Sequence, residues 1–146
     1  MNAEVDELDK LVALNNSSHN RALYQQTEPN AALLEAFPSP FGQLKGNLLI
    51  EVPEFTSLCP ITGQPDFAKI LIEYQPDKLC IESKSLKLYM GSYRNYGCFH
   101  EAIIARVCRD LVAKLNPCSI SIQGRFTPRG GISFWPNVHW YQGDEV

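Results

Sequence analysis

The chain has 146 residues, of which 45% are hydrophobic and 20% charged. This is the size and composition of one globular domain and excludes an intrinsically disordered protein. The net charge of −3 argues against a general nucleic-acid binder, since affinity for the phosphate backbone depends on clustered positive charge. The charge is uneven, because residues 67–146 carry ten basic and seven acidic residues. An anionic ligand is therefore expected in that part.

The sequence contains no targeting or metal-binding pattern. The sequence has no run of about 18 apolar residues, the length needed to span a membrane. The N-terminus, MNAEVDELDK, is acidic, whereas that of a signal peptide is basic. The five cysteines form no CxxC pair and the three histidines lie far apart, so neither a disulfide framework nor a zinc site is expected. A cytoplasmic protein without a metal is predicted.

Residues 1–40 show little regular pattern and are predicted to form an N-terminal arm. Glu4–Leu14 fits a short helix with leucines on one side, and prolines interrupt the remainder. We expect the arm to pack on the surface or on a neighbouring subunit, beside a domain that spans residues 41–146.

Two strands are predicted at the start of this domain, over Asn47–Phe55 and Phe67–Tyr74. In both segments apolar side chains alternate with polar or outward-facing ones, the period of a strand with one buried face. The turn-rich segment TSLCPITGQPD lies between them.

Two helices are predicted next. From Glu82 onward the apolar period becomes that of a helix face, on which lie Leu86, Tyr89, Met90 and Tyr93. Gly97 interrupts the chain, and a second helix is predicted from about Cys98 to Leu115, where Asn116-Pro117 ends it. Its buried face is expected to comprise Phe99, Ile103, Val107, Leu111 and Leu115 or their near neighbours.

Two further strands complete the predicted order. Cys118–Gln123 alternates cleanly, and the turn at Pro128–Gly131 leads into Ile132–Trp140. The order strand-strand-helix-helix-strand-strand favours an α+β fold, with both helices on one face of a four-stranded antiparallel sheet. Because such a sheet leaves two edge strands unpaired, we expect subunits to associate edge to edge into a barrel-shaped homo-oligomer.

The segment between the first two strands holds a candidate nucleophile and a candidate acid. Cys59 follows the first strand and Asp66 precedes the second, so a hairpin connection would bring their side chains together. A thiolate attacks electrophilic carbon, and a carboxyl group can donate a proton. The spacing alone is better explained by a small apolar residue in a turn that Asp66 caps, because cysteine reactivity requires a lowered pKa.

The first helix carries a basic stripe, formed by Lys84, Lys87 and Arg94. Positive charge near a helix N-terminus suits phosphate groups, because free N–H groups and the helix dipole add to it. On its own, the stripe fits a solvated helix face better. No glycine-rich motif of the Rossmann or P-loop kind is present.

His100 and Glu101 begin the second helix. A carboxylate at this position could accept two N–H bonds from a guanine-like edge, while His100 contacts another atom of the same ligand. Without further evidence, these two residues are better explained as an ordinary helix start, in which the first-turn Glu101 stabilises the helix dipole and His100 has no role.

Three strings together, SLCPITGQPDFA, ESKSLKLYMGSYRN and FHE, resemble the short, single-module form of the 7-cyano-7-deazaguanine reductases. These are the NADPH-dependent nitrile reductases of queuosine biosynthesis, which have the tunnelling fold. The resemblance runs from about Phe41 to Trp140. ESKSLKLY is its most specific string, since it separates the nitrile reductases from cyclohydrolase relatives with the same fold.

The resemblance implies a reaction and a role for each motif residue. Cys59 would add to the nitrile to form a covalent thioimide, and Asp66 would protonate the nitrile-derived nitrogen. The deazaguanine base would be held by His100 and Glu101, with Ile81, Glu82 and Ser83 completing the pocket. The NADPH phosphates would be bound by Lys84, Lys87 and Arg129. Neither a metal nor direct nucleic-acid contact is implied, and active sites would lie at subunit interfaces.

Two other functions remain open. One is a tunnelling-fold enzyme that transfers nitrogen through the same thioimide or hydrolyses a pterin or purine nucleotide, which ESKSLKLY disfavours because neither reaction needs NADPH phosphate contacts. The other is a non-catalytic purine-binding oligomer, which an intact Cys59 and Asp66 disfavour. Cys98 could form a protective disulfide with Cys59, although a small buried residue at the helix start explains it better.

Overall fold

The computed structural model describes residues 28–146, which contain six strands, two α-helices and one short 3-10 helix, Ala31–Leu33. The strands are β1 (Ala36–Pro38), β2 (Leu48–Leu58), β3 (Pro65–Gln75), β4 (Leu79–Ile81), β5 (Ser119–Phe126) and β6 (Asn137–Tyr141). The helices are α1 (Ser83–Gly91) and α2 (His100–Leu115). The helix predicted for residues 4–14 lies outside the described range. Within residues 28–146, no helix has the length and hydropathy needed to cross a membrane.

β2, β3, β5 and β6 form an antiparallel sheet in that order, and both helices cover one face of it. Successive side chains of a strand point to opposite faces, so alternate residues of β3 are buried and those between them face outward. The buried set is Asp66, Ala68, Ile70, Ile72 and Tyr74. The predicted α+β fold, with two strands before and two after the helix pair in this sheet, is confirmed.

Apolar stripes of both helices pack on this buried face. The predicted face of α1 is buried, and the turn that follows the helix buries Tyr93. The Tyr89 hydroxyl donates to Asp110 Oδ2 at 2.6 Å and lies 2.8 Å from the Tyr93 hydroxyl, which ties α1 to α2. The buried stripe of α2 includes Ile103, Ile104, Val107, Leu111 and Leu115.

The helix boundaries follow local capping chemistry. α1 begins after Glu82, whose carboxylate accepts the N–H groups of Lys84 and Ser85 at 2.8 and 2.7 Å, as an N-cap side chain does. α2 begins at His100, two residues later than predicted. Phe99 is 60% exposed, whereas its near neighbour His100 is buried. As the N-cap, Phe99 has extended backbone angles, and its side chain leaves the buried stripe.

β2 is longer than predicted and changes face along its length. Its pairing with β3 shifts register between Val52 and Phe55, the signature of a β-bulge. Residues 48, 50 and 52 face the helices before the shift, whereas Phe55 and Ser57 are buried after it. The strand then continues to Leu58, which leads directly into Cys59.

The predicted strand Ile132–Trp140 is regular only from Asn137 to Tyr141. Pro136 has no N–H to donate, which interrupts the pairing with β5. Residues 132–136 contribute only two bonds to β5, in which the N–H groups of Gly124 and Phe126 donate to the carbonyls of residues 136 and 134. Arg129 and Ile132 exchange two backbone bonds of 3.0 Å. The glycines between them have φ of 57° and 76°, as a tight two-residue turn requires.

The described part of the predicted arm packs on its own chain. β1 pairs with β4 as a second, two-stranded antiparallel sheet, which the sequence pattern did not predict. The Glu35 N–H donates to Ser85 Oγ at 2.9 Å, and Leu34 is 1% exposed. Arg106 donates to the Pro29 carbonyl at 3.1 Å. These contacts fix residues 29–38 against α1, α2 and β4.

Gly124→Ala tests how tightly the sheet packs beneath α2. A Cβ there would lie 2.7 Å from Ile104 Cδ1 and 2.8 Å from Phe126 Cε2, and both neighbours are buried. Overpacking typically costs about 1–3 kcal/mol, so urea denaturation should reveal a loss of that size in the free energy of unfolding. Gly97→Ala is the control, since its Cβ would approach nothing closer than 3.5 Å. Equal losses would contradict the explanation.

Candidate active site

Four side chains from three separate parts of the chain meet at one end of the sheet: Cys59, Asp66, His100 and Arg129. The β2–β3 hairpin pairs residue 58 with residue 65, which brings Cys59 beside Asp66. α2 contributes His100 from its first turn, and the glycine turn after β5 contributes Arg129. Two of the predicted site residues, Cys59 and Asp66, are therefore neighbours, as the hairpin interpretation required.

Asp66 is the centre of the cluster. It is 4% exposed, and a buried carboxylate is costly unless charged or polar groups compensate it. Arg129 Nε donates to Oδ1 at 2.9 Å and Arg129 Nη2 donates to Oδ2, which makes a two-pronged ion pair. His100 Nε2 lies 3.2 Å from Oδ2 and 3.3 Å from Arg129 Nη2.

His100 is held by an aromatic stack. Its ring lies parallel to the Phe126 ring, 3.7 Å between centroids and 7° between planes, and the Phe134 ring meets it edge-on at 6.3 Å. Phe126 is buried at the end of β5. The imidazole is thus fixed to the core of the sheet on one side and faces Asp66 with Nε2.

Cys59 is 6% exposed, and its sulfur lies beside the Arg129 guanidinium. The pKa of its thiol is lowered from 9.0 to about 7. The largest cause is a hydrogen bond with the Thr62 hydroxyl, followed by bonds with the backbone N–H groups of Thr62 and Ile61. The positive charge of Arg129, whose Nη1 lies 3.4 Å from Sγ, also lowers the pKa of the thiol, whereas burial raises it. A large thiolate fraction at neutral pH follows.

A cavity of about 230 Å³ opens beside the cluster. Glu101 lines its wall with His100 and Arg129, so the predicted base-reading pair faces one space. The remaining lining is Pro60, Phe99, Thr127, Ile132 and Phe134.

Three of the other predicted site residues line a different space, and Glu82 and Lys84 line neither cavity. Ile81, Ser83 and Lys87 face a cavity of about 630 Å³ between β2 and α1, which Arg94 also lines. Glu82 caps α1 rather than facing that cavity, and its pKa is lowered chiefly by the backbone N–H of Lys84. Among residues 28–146, none lines both cavities. One chain therefore does not bring the two predicted halves of the base pocket together.

Several residues of the cluster were not identified from the sequence. Phe126 was known only as an apolar strand residue, and nothing in the pattern showed that it stacks on an imidazole. For Thr62, the sequence Cys-Pro-Ile-Thr offered one clue. Proline is favoured at the first position of a helical turn, so Cys59 before it could have been recognised as the capping residue of a turn that contains Thr62. Arg129 was predicted to bind cofactor phosphates, and its guanidinium lies on Asp66 and Cys59 instead of projecting freely.

Cys98 and the remaining thiols add no bridge to the cluster. All five cysteines fall in the described range and all are free. Cys98 is half-buried, packs against the core and lies near the Tyr96 hydroxyl.

Comparisons with known proteins identify the family. A family model described as QueF-like protein matches residues 65–144. An NADPH-dependent 7-cyano-7-deazaguanine reductase of Streptococcus thermophilus is 55% identical over 113 residues, which are 77% of this chain and 69% of that protein. The chain belongs to the QueF-like family. The family predicted from the three motif strings is confirmed.

Two further relatives carry the same name. The protein of Streptococcus mutans is 48% identical over 135 residues, 92% of this chain and 81% of the relative. That of Helicobacter pylori is 51% identical over 120 residues, 80% of this chain and 81% of the relative. Among solved structures, the archaeosine synthase QueF-Like in the apo form matches with a TM-score of 0.61 at 19% identity, covering 68% of this chain and 96% of that chain. This match supports the predicted tunnelling fold.

The geometry predicts a strong pH dependence of cysteine reactivity. Since the thiolate reacts and the thiol does not, alkylation of Cys59 by iodoacetamide should rise with pH and reach half its maximum near pH 7. Burial raises the pKa of Cys108, which should stay unmodified under the same conditions. Peptide mass spectrometry at each pH resolves the two sites. A midpoint for Cys59 above about pH 8.5, the ordinary thiol value, would contradict the described surroundings of its sulfur.

Proposed function

We propose that the protein is an NADPH-dependent 7-cyano-7-deazaguanine reductase, which reduces a nitrile to an aminomethyl group in queuosine biosynthesis. The observation that carries the proposal is the position of Cys59, whose sulfur lies 3.4 Å from Nη1 of the same Arg129 side chain that pairs with the buried Asp66. The names of the relatives from Streptococcus and Helicobacter support the substrate and the cofactor. Five free cysteines support a reducing cytoplasm.

The first step is addition of the Cys59 thiolate to the nitrile carbon. The new S–C bond forms as one π bond of the nitrile breaks, its electron pair goes to nitrogen, and nitrogen takes a proton from Asp66. The product is a thioimide, and no group leaves. Asp66 accepts two bonds from Arg129 in this structure, so it must gain a proton first. His100 Nε2 lies 3.2 Å from Asp66 Oδ2, close enough to pass that proton to the carboxylate.

Two NADPH molecules, bound one after the other, would each supply one of the two hydrides that convert a nitrile into an amine. The residues of the chain perform the remaining work. Cys59 must leave once the thioimide carbon is reduced, and a thiol of low pKa is a good leaving group. The resulting imine hydrolyses in water, so the site must exclude solvent until reduction is complete. The apolar rim formed by Phe99, Ile132 and Phe134 suits that requirement.

Base recognition is assigned to the cavity beside the cluster. Glu101 can accept both the ring N–H and the exocyclic N–H of a deazaguanine as charge-assisted bonds, and His100 lies next to it on the same wall. Ile81, Glu82 and Ser83 would complete the pocket. Because Ile81 and Ser83 line the other cavity, they can do so only from a second copy of the chain.

The cavity between β2 and α1 is lined by side chains of the kinds that would bind NADPH. Leu86 and Met90 offer apolar surface for a flat ring, and Lys87 and Arg94 offer positive charge for phosphates. Lys84, one turn away on α1, extends the charge. Arg129 would have to exchange Asp66 for a phosphate in order to join them, and that exchange would free the Asp66 carboxylate to bind a proton.

A homo-oligomer would bring the two cavities together. β2 and β6 are edge strands of the main sheet, and exposed edges favour pairing with another chain. Apolar side chains beside the cluster are exposed, including Phe99, Ile132, Phe134 and Trp135. We propose that copies pair through these edges into a closed barrel, with each active site at an interface. No direct nucleic-acid contact is required.

The most direct test is intact-protein mass spectrometry with the cyano-deazaguanine and no NADPH. We expect a mass increase equal to the whole substrate, because addition expels no leaving group. Cys59→Ala should abolish the adduct, whereas Cys118→Ala, which removes a thiol far from the cluster, should leave it unchanged. An adduct that survives Cys59→Ala would refute the assignment.

The cofactor site makes a separate prediction. Lys87→Ala removes a charge from the wall of the larger cavity, and hydrogen bonds to charged groups contribute about 1.5–3 kcal/mol. Steady-state kinetics should therefore show a rise of about tenfold or more in the KM for NADPH, and a smaller rise for Lys84→Ala. Adduct formation without NADPH should be unaffected.

The matched control is Lys78→Ala, which removes an exposed lysine outside the two cavities described above. Equal cofactor kinetics in Lys87→Ala, Lys78→Ala and the unmodified protein would mean that the α1 stripe is only a solvated face.

A further inference from the structure

Ser57 carries a buried hydroxyl that the mechanism described above does not use. It lies on β2 two residues before Cys59 and is 0% exposed. Within residues 28–146, its Oγ is the one buried side-chain nitrogen or oxygen that has no hydrogen-bond partner. Burial of a polar group without a partner is costly, so folded proteins keep few such groups, and those they keep usually have a structural or functional reason.

The strand pairing places Ser57 directly opposite Asp66. β2 and β3 are antiparallel, and their register pairs residue 57 with residue 66. Side chains of directly opposed residues lie on the same face of a sheet, with Cβ atoms about 4.5–5.5 Å apart. Both residues are buried, as a shared inner face requires. Because the serine hydroxyl turns about one bond between staggered rotamers, it can approach the Asp66 carboxyl group without any movement of the backbone.

In this structure, both carboxyl oxygens of Asp66 have stronger partners. Arg129 Nε donates to Oδ1 at 2.9 Å and Arg129 Nη2 donates to Oδ2, while His100 Nε2 lies 3.2 Å from Oδ2. Hydrogen bonds between charged groups are roughly twice as strong as those between neutral ones. The guanidinium therefore fixes the orientation of the carboxyl group, and the Ser57 hydroxyl is left without an acceptor.

Release of Arg129 would change this balance. The side chain of Arg129 is 38% exposed and can move outward, whereas that of Asp66 is 5% exposed and stays in the interior. A protonated carboxyl group has one O–H donor and keeps acceptor capacity on its other oxygen. Ser57, across the strand pair, is then the neutral donor placed to fill that acceptor.

We propose that Ser57 is a positioning residue for Asp66. Once Arg129 has released the carboxyl group and Asp66 has gained a proton, the Ser57 hydroxyl donates to one carboxyl oxygen, and the O–H of the other oxygen is left to face the space beside Cys59. Delivery of that proton to a substrate nitrogen rests on the proposed function. The pairing of Ser57 with Asp66 depends only on the sheet and on the loss of the Arg129 contact.

A double-mutant cycle in thermal stability tests the pairing without substrate. In the unmodified protein, Ser57→Ala removes a hydroxyl that has no partner, so the melting temperature should stay level or rise. Asp66→Asn keeps an acceptor oxygen and removes the charge that holds Arg129, so it imitates the protonated carboxyl group. On this background Ser57→Ala should lower the melting temperature by about 2–4 °C, because the hydroxyl now has a partner to lose. Arg129→Ala, which removes the guanidinium itself, is the second background if Asp66→Asn does not fold.

The matched control is Ser121→Ala. Ser121 lies on β5 and pairs with Glu73, at the opposite end of β3 from Asp66, and its hydroxyl donates to Asn137 Oδ1 at 3.4 Å. Its effect on the melting temperature should be the same on every background, since distant sites are additive. Equal effects of Ser57→Ala on all backgrounds would overturn the proposal. A lower melting temperature for Ser57→Ala in the unmodified protein would also overturn it, because the hydroxyl would then have a structural partner.

Adduct formation with the cyano-deazaguanine and no NADPH, followed by intact-protein mass spectrometry, tests whether the reaction uses the pairing. General acid help is typically worth about 10²–10⁴ in rate, and loss of its orientation should cost part of that. We therefore expect Ser57→Ala to slow the adduct about tenfold or more at saturating substrate, with an unchanged half-saturating concentration. Ser57→Ala should add little to the slowing that Asp66→Asn itself causes, and Ser121→Ala should have no effect.

The two measurements separate this proposal from the proposed function. Coupled melting temperatures with an unimpaired adduct in Ser57→Ala would mean that the reaction does not use the pairing, which rejects the positioning role. Slow adduct formation with additive melting temperatures would place Ser57 on the substrate itself and would reject that role as well. If the unmodified protein formed no adduct, the nitrile reductase function would be rejected, and the melting temperatures would still decide whether Ser57 pairs with Asp66.

Discussion

The buried carboxylate of Asp66 is the constraint on which the rest of the cluster depends. A charge at this depth is costly unless ion pairs and hydrogen bonds compensate it, and its partners come from two other elements, the α2 N-terminus and the turn after β5. Arg129 and His100 are therefore drawn to one point. Cys59 then lies beside a guanidinium, so one interaction sets both the acid and the charge near the thiol.

The packing of the sheet determines how accurately this point is built. The Phe126 ring, which carries the His100 imidazole, is at the end of β5 and belongs to the main hydrophobic core. Gly124, two residues earlier, has no side chain, and Ile104 and Phe126 fill the space where a Cβ would be. A close approach between helix and strand thus fixes the height of the imidazole above the sheet. The site is therefore rigid because the core beneath it is tightly packed.

The sequence was most informative where periodicity governs and least where tertiary contacts decide. Alternation and helix spacing predicted all four strands of the main sheet and both helices, because burial of one face imposes those periods. The β1–β4 pair was missed because three-residue strands carry too little pattern. The hairpin predicted that Cys59 and Asp66 would be neighbours. The position of Arg129 and the stack of Phe126 on His100 are contacts across 63 and 26 residues of sequence, which no local pattern encodes.

The register shift in β2 has a consequence for how this protein tolerates insertion and deletion. Before the shift, even-numbered side chains face the helices; after it, odd-numbered ones do. Loss of one residue between Val52 and Phe55 would remove the bulge and leave both side chains on the helix face, because the pairing on either side of it is already in register. Loss of Thr56, after the bulge, would instead exchange the faces of the residues that follow, so that Ser57 would turn to solvent and Cys59 would leave its carboxylate neighbour. Variation in chain length is therefore better accommodated at the bulge, or in the loop at residues 39–47, than in the end of this strand.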